Sequence, residues 1–288
     1  MKKCFVMVLL CCLLVAGTAF AKTGTLLVAF GTSMDSARPA IDDIEKAYKK
    51  AAGNEPVLLA FTSDIIRNKL AKEGKPVLSV NAAMNELAAQ GVTDLKIQSL
   101  HIAPAEEYNQ LERMVVKNIT KNPGVFKTVK VGYPLLVSEK DLDAVVKVVL
   151  ASLPKDRKPG DAVVLMGHGS RQQAVTAYAA LAGAVQALDA RVHVGTMSGA
   201  LELDALLPRL TSRRVWLMPL LSVVGRHTLE DMAGDAPDSW RSRIEAAGHA
   251  CAPVVRGTAE YRAFADIWLR HLEDAVAALP TVKKDEEK

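Results

Sequence analysis

His168 and His227 each follow directly on an apolar run that reads as a buried strand. The first is Val163-Val164-Leu165-Met166, leading into Gly167-His168-Gly169-Ser170; the second runs from Val215 to Val224, leading into Gly225-Arg226-His227. Just beyond the second come Glu230, Asp231, Asp235 and Asp238. In open α/β sheets, ligand groups collect outside the carboxyl ends of strands. Two imidazoles in that position therefore read as one shared site, able to hold a divalent metal or to move protons near neutral pH. The plainer alternative for each is a helix cap or a loop hydrogen bond. Asp231 and Asp235 read as groups that orient the His227 loop. Asp238 and Ser239 read as a helix cap followed by a buried Trp240.

Other residues widen the candidate site. His101 ends the apolar run Leu95 to Leu100 and precedes Glu106 and Glu107. It reads either as a ligand-side group or as a strand-end histidine bonded to backbone. Gly31-Thr32-Ser33 could offer backbone N–H donors to an anion at a following helix start, but it lacks the lysine and spacing of a nucleotide-binding loop. Arg226, Lys22 and Arg171 are candidate cations for anionic groups. His193, His249 and His271 read as structural or solvated.

These residues need a frame to position them. Short apolar runs near 25–30, 57–61, 94–100, 127–131, 162–166, 191–197, 214–220 and 251–256 alternate with amphipathic stretches near 38–52, 63–73, 78–90, 106–120, 138–152, 171–188, 202–211 and 259–278. Such alternation predicts α/β architecture, parallel sheets with right-handed crossovers. The pattern repeats: Leu26 to Ser33 resembles Val163 to Ser170, and each half has an apolar strand leading to a histidine. Between the halves lies Pro154-Lys155-Asp156-Arg157-Lys158-Pro159-Gly160-Asp161, a polar linker. The expected organisation is two similar lobes, 22–153 and 161–280, facing one cleft, with a charged tail at 281–288.

Met1-Lys2-Lys3, an apolar run from Cys4 to Val15 and Ala19-Phe20-Ala21 read as a secretory signal peptide, residues 1–21. The run is short for a membrane span of roughly 20 residues. The expectation is a periplasmic protein that is not integral to a membrane after cleavage. Three of the four cysteines lie in that leader, so beyond it only Cys251 remains and no intramolecular disulfide can form. Formal net charge is +4 and loses Lys2 and Lys3 with the leader, a balance that points to no nucleic-acid partner.

The segment G-x-H-x-x-x-D-M-A-G-D-x-x-D-S-W from Gly225 to Trp240, with the upstream Gly167-His168-Gly169-Ser170, resembles the anaerobic-pathway sirohydrochlorin cobaltochelatases. Leu26 to Ser33, Ala60-Phe61-Thr62-Ser63, Leu100 to Tyr108 and Gly132-Tyr133-Pro134-Leu135-Leu136 carry the same resemblance, which spans about Thr25 to Leu272. It implies a bilobal chelatase fold and insertion of Co2+ into sirohydrochlorin, a step of cobalamin synthesis, with Fe2+ as an alternative metal. It implies metal and catalytic roles for His168 and His227, and it matches Glu107 to a loop glutamate acting on the substrate side or in acid–base work. The macrocycle's many carboxylates make Gly31, Thr32, Ser33 and His101 candidate substrate contacts. One departure matters. The family's metal-ligand glutamate, at the end of the strand between the two histidines, is replaced by Ser198, which leaves Glu202 as a candidate third ligand. The rival reading is a non-enzymatic periplasmic protein that binds haem, another tetrapyrrole or metal for trafficking. A homo-oligomer is expected under either.

Overall fold

The computed structural model describes residues 21–169 and 173–274; the leader, Ser170, Arg171, Gln172 and the charged tail lie outside the described residues. The first half contains β1 (Thr23–Ala29), α1 (Arg38–Ala52), β2 (Val57–Phe61), α2 (Asp64–Lys72), α3 (Val80–Ala89), β3 (Asp94–Ser99), α4 (Glu106–Lys121), β4 (Thr128–Gly132) and α5 (Glu139–Ala151). The second contains β5 (Ala162–Gly167), α6 (Gln173–Leu188), β6 (Val192–Thr196), α7 (Leu203–Leu206), β7 (Arg214–Leu220), α8 (Trp240–Ala246), β8 (Ala250–Pro253) and α9 (Arg262–Glu273). A 3-10 turn continues α7 over Leu207–Arg209, where one longer helix is predicted, and a π-helical turn spans His227–Met232.

All strand pairs are parallel, in the orders β2-β1-β3-β4 and β6-β5-β7-β8. In each sheet the chain leaves the first strand for one neighbour and returns on the other side to the next. The crevice between β1 and β3, and that between β5 and β7, are therefore switch points where loops diverge and leave room for a ligand. The repeat read from the sequence is this doubled topology.

Alternation along the strands decides which face meets what. Leu27 and Ala29 of β1, with Val163 and Leu165 of β5, point into one core shared by both halves. Leu26 and Val28 belong to an outer core under α3 and α4, and Val164 and Met166 to another outer core with Leu206, Trp240 and Ile244. Both strand faces are covered, so these strands are apolar throughout.

The last helix differs from the expected lobe boundary. It is assigned to the second lobe by sequence order, yet α9 packs on β3 and β4 of the first sheet and against α5. Its Trp268 is buried and donates Nε1–H to the His101 carbonyl at 3.2 Å. The linker is also tied down: Asp161 accepts from Trp216 Nε1 and Lys158 N at 3.0 Å each, and Arg157 pairs with Asp189 at 2.6 Å.

Candidate functional site

His168 leaves the end of β5 and His227 follows β7, so the two imidazoles flank the switch point of the second sheet. Their ring centroids are 5.2 Å apart and the planes meet at 74°. With bonds of about 2.0–2.1 Å, as for zinc, and ring centres roughly 1.2 Å behind the ligating nitrogens, two imidazoles on one tetrahedral ion sit about 5 Å apart. The pair has the separation that a shared ion requires.

The hydrogen bonds fix which nitrogen is free. His168 Nδ1 lies 3.1 Å from the Gly169 carbonyl and 3.4 Å from Glu107 Oε1. His227 Nδ1 lies 2.6 Å from Asp231 Oδ2. Carbonyls and carboxylates only accept, so both Nδ1 atoms carry a proton, and in the neutral imidazole each Nε2 keeps its lone pair. Side-chain exposures of 44% for His168 and 38% for His227 leave each accessible.

The backbone around His168 is built for close approach. Gly169 has φ +76°, and a Cβ there would collide with the Ser198 carbonyl at the end of the neighbouring strand β6. Behind it, Tyr178 of α6 is buried, its ring against Gly167, and its hydroxyl oxygen faces the backbone N–H groups of His168 and Gly169. Burial, reinforced by the Glu107 carboxylate, pushes that phenol well above its ordinary range. The sequence reading missed Tyr178, because a tyrosine on an apolar helix looks like ordinary core.

The first lobe contributes to the same site. Glu107 sits in the first turn of α4, at the end of β3, where the helix dipole favours a carboxylate. Thr32 is buried, and its hydroxyl donates to the Val224 carbonyl at 2.9 Å while accepting from Met34 N at 3.1 Å. Ser222 Oγ donates to the Leu100 carbonyl at 2.5 Å. The loop carrying His227 is thus held by the opposite lobe at two points.

Several sequence candidates take other places. Thr32 is a strut between lobes, because its hydroxyl is fully used. Gly31 has φ +108° and no room for a Cβ against Phe61, and α1 starts only at Arg38, so no helix N-terminus follows Gly31-Thr32-Ser33 as an anion cradle. Ser33 is half-buried. His101 is 6% exposed, bonded through Nδ1 to Ser99 Oγ at 2.7 Å, and burial lowers its pKa to about 4. It is a neutral core group rather than a surface of the cleft. Glu202 accepts from Gly199 N–H at 3.1 Å and closes its own turn. Among the described residues no three histidine, cysteine, aspartate or glutamate side chains are grouped to hold a metal. Lys22 lies at the amino end of β1, away from the strand ends that carry the histidines, and donates to the Gln90 carbonyl at 2.7 Å. Arg171 lies outside the described residues, and Arg226 is exposed, 3.8 Å from Glu230.

The model of the family described as Cobalt chelatase (CbiK) matches residues 23–277. The chain belongs to the cobalt chelatase family. It is 46% identical over 261 residues to the sirohydrochlorin cobaltochelatase CbiKC of Nitratidesulfovibrio vulgaris, covering 90% of this chain and 92% of that one. It is 34% identical over 260 residues to the sirohydrochlorin cobaltochelatase of Salmonella typhimurium, covering 88% and 97%. Among solved structures, the sirohydrochlorin chelatase SirB of Bacillus subtilis subspecies spizizenii, in complex with cobalt, superposes with a TM-score of 0.61 at 13% identity, over 88% of this chain and 95% of that one. That likeness concerns the fold. In this cobalt chelatase no helix among the described residues is long and apolar enough to cross a membrane.

Proposed function

We propose that this protein inserts Co2+ into sirohydrochlorin and that the His168–His227 pair presents the ion to the macrocycle. Family membership over nearly the whole chain supports the reaction. The observation that carries the site assignment is the pair of imidazoles 5.2 Å apart with both Nδ1 atoms engaged by acceptors. Two neutral nitrogen ligands leave most of the coordination sphere of Co2+ open to the four nitrogens of the tetrapyrrole.

Insertion exchanges one Co2+ for two pyrrole protons. A histidine Nε2 bound to metal has no lone pair left for a proton. Glu107, from the opposite lobe and 3.4 Å from His168, is the carboxylate placed to accept one. Once the ion has moved into the ring, a vacated Nε2 can take the second and pass it to water. Ser198, where the family resemblance implies a glutamate, leaves the two neutral imidazoles without an anionic third ligand, which favours release of the ion over storage. Metal insertion moves no electrons to or from the protein, so the reaction calls for no redox cofactor.

The leader from Met1 to Ala21 supports an exported, periplasmic location. Fe2+ is the alternative substrate metal, since nitrogen donor sets discriminate weakly between neighbouring divalent ions. The protein is mixed with sirohydrochlorin and Co2+, then separately Fe2+, without oxygen, while the macrocycle's absorbance is followed. Faster conversion than the protein-free control with Co2+ is expected. Bands that bind and shift without conversion would favour tetrapyrrole trafficking instead.

A further inference from the structure

We infer that Asp231 is a positioning residue that holds His227 in the Nδ1–H tautomer and so keeps Nε2 free for the metal. The inference rests on the reading of His227 as a cobalt ligand and extends it to the residue that makes it one. Asp231 Oδ2 is 2.6 Å from His227 Nδ1, a short contact for a charge-assisted hydrogen bond. A neutral imidazole in water favours the opposite tautomer, with the proton on Nε2. Without an acceptor at Nδ1, His227 would therefore turn an N–H toward the ion, not a lone pair.

The chain devotes unusual local structure to this contact. His227–Met232 forms a π-helical turn, a form that is rare and concentrated at functional sites. Its widened bond runs from Ala233 N to the Thr228 carbonyl at 3.1 Å. Thr228 and Met232 are both buried, anchoring the turn on either side of Asp231. Gly234 N–H closes the turn on the Glu230 carbonyl at 3.2 Å, and a Cβ at Gly234 would collide with that same carbonyl. Ser239 Oγ then donates to the Gly234 carbonyl at 2.7 Å and also caps α8 through Ser242 N. His227 and Asp231 remain 38% and 40% exposed, accessible beside Glu230 at 66%.

Asp231→Ala and Asp231→Glu test this in the full chain. Nitrogen-15 spectra of the metal-free protein, labelled at histidine and assigned with His227→Gln, report the His227 tautomer independently of any activity. Calorimetric titration with Co2+ alone reports affinity. The parent should show Nδ1–H at His227, and Asp231→Ala should shift toward Nε2–H with a Co2+ Kd raised by about 10- to 100-fold, the usual effect of losing such a partner. Asp231→Glu should recover part of both changes. An Nδ1–H tautomer persisting in Asp231→Ala, or a tautomer that changes with no change in Co2+ affinity, would overturn the inference. If His227→Gln bound Co2+ like the parent, the assignment of His227 as a ligand would fall separately, and the nitrogen spectra would still decide what Asp231 does.

Discussion

Ser198→Glu places a carboxylate just past the end of β6, next to the strand that carries His168. The position is close enough to matter: Thr196 pairs with Gly167 in the sheet, and the Ser198 carbonyl packs against Gly169. A carboxylate and a divalent ion about 4 Å apart at an effective dielectric constant of 20 attract by about 8 kcal/mol, of which desolvating the carboxylate takes back about 4. Ordering a glutamate side chain costs about 1.5–2 kcal/mol of that. A net gain of about 2 kcal/mol remains, equivalent to a roughly thirty-fold lower Kd. Calorimetric titration of parent, Ser198→Glu and the uncharged Ser198→Gln with Co2+, without tetrapyrrole, measures it. Glutamate should tighten binding and glutamine should recover little of the effect. Equal affinity in all three proteins would refute the reasoning, because the third position would then be filled already or the ion would bind elsewhere.

Thr32→Val removes the donor to the Val224 carbonyl and the acceptor for Met34 N; chemical denaturation should show a loss of about 1–3 kcal/mol, and the KM for Co2+ should rise as the His227 loop loosens. Tyr178→Phe strips the oxygen facing the His168 and Gly169 N–H groups; insertion should slow while the circular dichroism spectrum stays unchanged, and a parental rate would show that the glycine turn holds itself. His101 has a folded pKa of about 4, below its ordinary 6.5, because burial opposes its charge. The folded state then binds fewer protons, so this stabilisation is full above pH 6.5 and is lost as pH falls from 6.5 towards 4. Urea unfolding across that window should show a slope of about one proton that His101→Gln removes.

The central strand β5 was legible in the sequence because a parallel strand covered on both faces is apolar throughout, and the histidine pair because each member follows an apolar run. The destination of α9 was not. An amphipathic helix declares that one face is buried, and either sheet could bury it; the Trp268 bond to the His101 carbonyl and the burial of His271 against Asp141 choose the first. Thr32 and Ser222 were equally opaque, since a hydroxyl that spans two lobes has the same local sequence as one that meets solvent. His101 and His168 look alike as strand-end histidines. They differ because one is buried beside α9 and the other is half-exposed. Glu202 has a nearer partner than a metal: a carboxylate three residues past a glycine accepts that turn's N–H. Asp231 is read from the sequence as orienting the His227 loop, whereas the π-helical turn that carries it has no sequence period of its own.

The central claim is that cobalt reaches the macrocycle through His168 and His227. Anaerobic single-turnover insertion of Co2+ into sirohydrochlorin, followed by absorbance with the parent and the His168→Ala/His227→Ala double variant, tests it most directly. The substitutions fall on partly exposed loop side chains, so the variant should fold and bind the macrocycle. The account predicts rapid insertion by the parent and a rate near the protein-free background for the variant. Insertion by the variant at the parental rate would contradict it.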